Sequence, residues 1–144
     1  MGISVLRLVL SGLVAGFIIN LGELAVNVWL LGDAWAGVLA GIGVHLDMPA
    51  LVLWGLGSFI VGIVGVWIYV AIRPRYAPGA PTALRAGLAV WAVTYLYVMI
   101  GLLGTTLIPK WLLLGSAAWG LVEMTLAMYV GAWLYREGEL AEAA

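Results

Sequence analysis

Residues 5–31, VLRLVLSGLVAGFIINLGELAVNVWLL, decide how this chain is read. After Arg7 the stretch is apolar for longer than the roughly 20 residues needed to cross a hydrocarbon core, yet it carries Glu23 well inside it. Three more stretches of the same kind follow, at 50–72, 84–108 and 111–135, and the last carries Glu123. The expectation is an all-α, four-helix transmembrane bundle, up-down-up-down, forming one domain over residues 1–144. An ionisable group at membrane depth costs roughly 3 kcal/mol on insertion scales, so the two glutamates are where a function would have to reside.

The bulk composition agrees. The chain is 65% hydrophobic and 9% charged, whereas ordinary soluble domains are about a quarter charged. The apolar stretches are continuous and do not alternate, which excludes a membrane β-barrel. Four spans leave only short loops and no room for a second domain. A net charge of −1 offers no basic patch for nucleic acid. There is no cysteine and a single histidine, His45. Thiol chemistry, iron–sulfur clusters and a His-rich metal site therefore have no residues to build them, and no cofactor or metal is expected. No nucleophile–base pair, phosphate loop or dinucleotide motif is present, so no catalytic residue is assigned and an enzyme is the less favoured class.

The first span has an arginine ahead of an apolar run, as a signal peptide does. It is longer than a signal h-region and no small-residue cleavage site closes it; it is read as a retained helix. Orientation follows from six positive charges. With an even number of spans, Arg7, Arg73, Arg75, Arg85 and Arg136 fall on one side and Lys110 alone on the other. The positive-inside rule then puts both termini and the Arg73–Arg85 loop in the cytoplasm, in a bacterial inner membrane. Arg73, Arg75 and Arg85 are expected to anchor on lipid head groups. The prolines of that loop, Pro74, Pro78 and Pro81, predict a stiff connector that ends the second helix before it. Across the membrane, Trp35, Val38, Leu39 and Ile42 recur at near-helical spacing and predict a short interfacial helix with Trp35 at head-group level. Pro109-Lys110 predicts a tight antiparallel hairpin. The tail after Arg136 is acidic and reads as a solvated helical end.

Two seams stand out. In the first span Gly12, Gly16, Asn20, Glu23 and Asn27 follow each other at steps of four, four, three and four; in the last, Ser116, Gly120, Glu123, Ala127 and Gly131 do so at four, three, four and four. Each set keeps to one helix face, and small residues on a face let helix backbones approach in lipid. The seams are expected to face one another, with Asn27 beside Gly120 and Asn20 beside Ala127. No cation lies at this depth. Two carboxylates there would not both ionise readily, so a shared proton is expected, with Asn20, Asn27 and one of Thr94, Tyr95 or Tyr97 as hydrogen-bond partners. Glu23, Glu123, Asn20 and Asn27 form the candidate polar, proton or ligand site. Gly55, Ser58, Gly62 and Gly65 in the second span, and Gly87, Thr94 and Gly101 in the third, read as packing faces. Trp91 and Trp119 read as interior; His45 and Asp47 read as ordinary loop residues.

The segments Gly22-Glu-Leu-Ala-Val-Asn27, Arg73-Pro-Arg-Tyr-Ala-Pro-Gly79, Thr82 to Trp91, Trp119-Gly-Leu-Val-Glu123 and Gly131 to Tyr135 together resemble a group of small bacterial four-span membrane proteins with no assigned activity. That resemblance implies the four-helix layout and nothing about chemistry. Small multidrug-resistance transporters are similar in span number but have their glutamate in the first helix only. The leading expectation is a membrane interaction or accessory protein that binds lipid, a hydrophobic ligand or a larger complex. The alternative is a small proton- or cation-coupled transporter or channel working as a homo-oligomer.

Overall fold

In a computed structural model the backbone is described for residues 3–143 and side-chain surroundings for residues 3–136. Four helices are long and apolar enough to span a membrane: Val5–Leu30, Met48–Tyr76, Ala80–Leu103 and Lys110–Arg136. The elements are α1 (Val5–Glu23), α2 (Gly32–Gly41), α3 (Met48–Tyr76), α4 (Ala80–Trp91), α5 (Tyr97–Leu103) and α6 (Lys110–Ala143). Two π-helical segments interrupt the spans, Leu24–Leu30 after α1 and Ala92–Leu96 between α4 and α5. Their wider turns show in the backbone: the Leu31 amide donates to the Val26 carbonyl, five residues back, at 2.8 Å.

Pairwise contacts give the antiparallel order. Gly12 faces Ile63, Gly16 faces Phe59, and Asn20 reaches Gly55, so α1 and α3 run opposite ways. Gly131 lies against Ser11 and Ala15, Gly22 lies against Glu123, and Ser116 bonds Asn27, so α1 and α6 are antiparallel too. Gly87 packs on Thr125 and the Trp91 indole reaches the Ala117 carbonyl, which aligns α4 against α6. Helices α3 and α6 also touch, with α1 and α4 flanking them on either side.

The core occupies one half of the bundle. Leu8, Ala15, Ile19, Val66, Tyr69, Val70, Ala83, Ala86, Val90, Met124, Ala127, Met128, Ala132 and Tyr135 form one buried cluster near the arginine-rich end. The other half is open. No residue is buried in Leu24–Leu30, in α2, in Ala92–Leu96 or in α5, and along α3 burial starts only at Ser58. The outward side chains, Leu53, Trp54, Ile60, Val93 and Tyr97 among them, are large and apolar, as a surface facing hydrocarbon requires.

Several local expectations are corrected. Helix α3 does not stop before its proline. It runs through Pro74 to Tyr76, where Ala77 turns left-handed at φ 63°. A proline in the last turn forfeits one backbone bond, and the turn beyond it is fastened by side chains: the Thr82 hydroxyl donates to the Ala77 carbonyl at 2.7 Å, and the Gly79 amide donates to the Tyr69 hydroxyl at 3.3 Å. The connector to α4 is thus only Ala77 to Gly79. The 104–109 turn begins with the Thr105 hydroxyl donating to the Leu102 carbonyl at 2.8 Å. Asp47 caps α3 by accepting from the Ala50 amide at 2.9 Å; His45 is exposed beside it. The third span ends at Leu103, five residues short of Ile108, and Gly101 has open space around it rather than a packed neighbour. The expectation for the acidic tail concerns side chains that lie outside the described residues.

Candidate functional site

The polar centre lies where the packed half gives way to the open half. Steps of four along α1 follow one ridge of the helix surface, and Gly12, Gly16 and Asn20 all turn that ridge toward α3. At Gly62 on the facing helix an added Cβ would sit 2.8 Å from the Gly16 Cα and closer still to the Gly12 carbonyl and the Gly16 amide. Asn20 ends the ridge, donating to the carbonyls of Gly16 and Gly55, each at 3.1 Å. The next step is three residues, which swings Glu23 back by about 60° at 3.6 residues per turn, toward α6. This is why Asn20 stands apart from the glutamates and not beside Ala127: its amide clasps α1 to α3.

Glu23 and Glu123 do come together, through a residue of the third span. The Tyr95 hydroxyl bonds Glu23 Oε1 and lies 3.1 Å from Glu123 Oε2. Glu23 Oε2 accepts from Asn27 Nδ2 at 3.0 Å. Asn27 Oδ1 in turn accepts from Ser116 Oγ at 3.1 Å and from Trp35 Nε1 at 3.2 Å. Asn27 therefore meets Ser116, one turn along α6 from the expected Gly120. Gly120 faces the Tyr95 ring instead, which an added Cβ would meet at 2.6 Å. Trp35 on α2 turns its indole inward to Asn27.

Proton counting assigns the roles. A phenol has one hydrogen, so Tyr95 donates in only one of its two contacts; in the other a carboxyl must donate to the phenol oxygen. Glu23 already receives the Asn27 amide and is half-buried, which suits the ionised partner. Glu123 is 2% exposed and its Oε1 has no hydrogen-bond partner, which suits the neutral acid, since an unpaired buried anion is the costlier state. The Trp119 indole, one turn before it on α6, is buried with Nε1 near the same carboxyl, close enough to act on it but outside hydrogen-bond geometry. Space for the acid comes from Gly22, whose missing side chain leaves room for the Glu123 carboxyl. Among the described residues no group of three or more acidic, histidine or cysteine side chains is placed to hold a metal ion.

Of Thr94, Tyr95 and Tyr97 in the third span, it is Tyr95 that reaches the carboxyls. Of the others, Thr94 donates to its own helix at the Val90 carbonyl, 2.8 Å away, and Tyr97 is 76% exposed. Both interruptions of the α-helical path border this site: Glu23 immediately precedes the first π segment, Asn27 lies in it, and Tyr95 lies in the second. Such segments recur at functional sites because the extra residue re-aims side chains.

At the arginine-rich end, Arg73 stacks over the Tyr135 ring at 5.0 Å with Arg7 at 5.9 Å, and Arg85 stacks over Tyr76 at 4.8 Å. Arg75 is exposed. Two of the three expected head-group anchors are thus also held by aromatic faces. No protein-family profile, curated protein or solved structure matches this chain.

Proposed function

We propose that this is an integral binding protein of the bacterial inner membrane, with its termini and the Arg73–Arg85 segment in the cytoplasm. In this reading it admits a lipid or another apolar molecule into the open half of the bundle, where Glu23 meets a head group that donates hydrogen bonds. The observation that carries the proposal is the uneven packing. Val66, Tyr69, Ala127, Met128 and Tyr135 fill the space between the polar centre and the arginine-rich end, so in this reading a molecule would approach the carboxyls from the other half. The test is mass spectrometry of the protein released from nanodiscs made with native lipid. A bound lipid or metabolite that survives in the wild type and is lost in Glu23→Gln supports the reading. Wild-type protein that carries nothing, and whose melting temperature does not move with added native lipid extract, rejects it.

A second reading is favoured by the proton count at Tyr95. A centre that holds one removable proton between two carboxyls has the chemistry of a proton- or cation-coupled transporter. Reconstituted liposomes discriminate the two: proton or cation flux that disappears in Glu23→Gln and Glu123→Gln, with the fold intact, makes it a transporter. A larger membrane complex or a homo-oligomer fits either reading.

A further inference from the structure

We infer that Glu23, Tyr95 and Glu123 form a single-proton latch that holds the far half of the third span against the first and fourth, and that loss of this proton releases that half at the Ala92–Leu96 π segment. The inference rests on the reading of this centre as a working polar site, and it assigns its control. Up to Trp91 the third span is fastened: Gly87 lies against the Thr125 backbone, where an added Cβ would be 2.7 Å from its Cα, and Trp91 Nε1 donates to the Ala117 carbonyl at 2.8 Å. Beyond it, from Ala92 to Leu103, no side chain is buried. The polar tie of that part to the other spans is Tyr95, by its ring on Gly120 and its hydroxyl on both carboxyls; α5 also touches α6, whose Leu112 and Leu113 are buried. The π segment between the two regimes carries the change in geometry.

With one proton present beyond the phenol's own, both Tyr95 contacts are hydrogen bonds: Tyr95 donates to Glu23, and Glu123 donates to Tyr95. When that proton leaves to the aqueous phase beyond the Pro109 end of the bundle, two carboxylates flank one phenol, which can satisfy only one of them. The other is an anion in a site of low dielectric, facing a like charge. The groups around it offer no countercharge among the described residues. The first span presents Glu23 and the neutral Asn27. The third presents Tyr95, and α6 presents Glu123 with the neutral Trp119. From α3 the Gly55 carbonyl meets Asn20, and from α2 the Trp35 indole meets Asn27; both are neutral. Release of the Tyr95 segment, in which no side chain is buried, would let water reach both carboxylates.

The absence of cysteine from the sequence makes a distance measurement direct. Spin labels at Val28→Cys and Val98→Cys, both on exposed positions of the open half, report the separation of the first and third spans in nanodiscs. The same samples give the infrared band of protonated carboxyl groups between about pH 5 and about pH 10. The latch requires one short distance at low pH and a longer population that grows as the carboxyl band disappears. Glu123→Gln, which keeps a donor for the Tyr95 oxygen and cannot ionise, should stay short at every pH. Tyr95→Phe should show the long population throughout. A carboxyl band absent at every pH, a band that titrates with no change in distance, or a Glu123→Gln protein that still opens like the wild type would each overturn the latch. Should Tyr95→Phe fail to fold, the wild-type and Glu123→Gln arms decide it. None of these measurements uses a ligand, so failure of the ligand-binding proposal leaves the result standing, and the reverse.

Discussion

Gly57 and Gly62 stand five residues apart on the same helix, and a methyl group added to each would meet opposite surroundings. At Gly62 it would strike the backbone of Gly12 and Gly16; at Gly57 it would find nothing within 4 Å. The same contrast holds between the halves of the bundle. Near the arginine-rich end, helix backbones touch through glycine and a shared core fills the interior. Beyond the polar centre the spans present side chains to the surroundings and bury none of them except at the start of α6, where Leu112, Leu113, Ser116 and Ala117 are covered. In lipid the hydrophobic effect does not drive helices together, so close packing and polar contacts must do so. One half relies on packing, the other on a few hydrogen bonds centred on Tyr95 and Asn27.

The sharpest way to break this contrast is at Gly62. Gly62→Ala should cost about 1–3 kcal/mol, since the obstacle is backbone on the facing helix and cannot rotate away; a melt in mild detergent would register it as a clear drop in midpoint. Glu123→Ala should cost about 1–3 kcal/mol as well, because it leaves a hole and strips Tyr95 of a partner. Glu123→Gln should cost about 1 kcal/mol or less, as it preserves both the volume and a donor. A Gln variant as damaged as the Ala variant would mean that the charge, not the hydrogen-bonded shape, stabilises the fold. Asn27→Ala removes the link between Ser116, Trp35 and Glu23, all at the edge of the open half, and should lower stability by about 1 kcal/mol while raising amide exchange in α2 more than in α3. Gly57→Ala should leave the melting midpoint within about 0.5 kcal/mol of wild type. A large effect there would show that the open half is covered by another chain in the membrane, which a native mass measurement would then reveal as an oligomer.

Much of the architecture is legible in the sequence. Span length and composition are properties of continuous apolar runs, and no other structure accommodates four of them with loops this short. The short helix near Trp35 was legible for similarly local reasons; the hairpin expected at Pro109-Lys110 is instead a longer turn from Gly104 to Pro109. The pairing of Glu23 with Glu123 was approachable through seam spacing. The third partner was less so, because Tyr95, Thr94 and Tyr97 carry similar polar groups within one turn and the π segment, which fixes the phase, has no sequence signature of its own. Helix α3 continuing through Pro74 was hidden for a different reason: the propensity of proline is local, whereas the contacts that fasten the turn after it come from Thr82 and Tyr69.

What the sequence by itself determined is the environment, the four spans and the identity of the two ionisable groups at depth, since these depend only on which residues are apolar over lengths that match a bilayer. Tertiary structure alone decided which neighbour each seam residue meets. Gly12, Gly16 and Asn20 went to α3 while Glu23 and Asn27 went to α6, because spacing along a helix fixes a face but not the helix that covers it; that choice is made by how closely the backbones of three neighbours can approach at once.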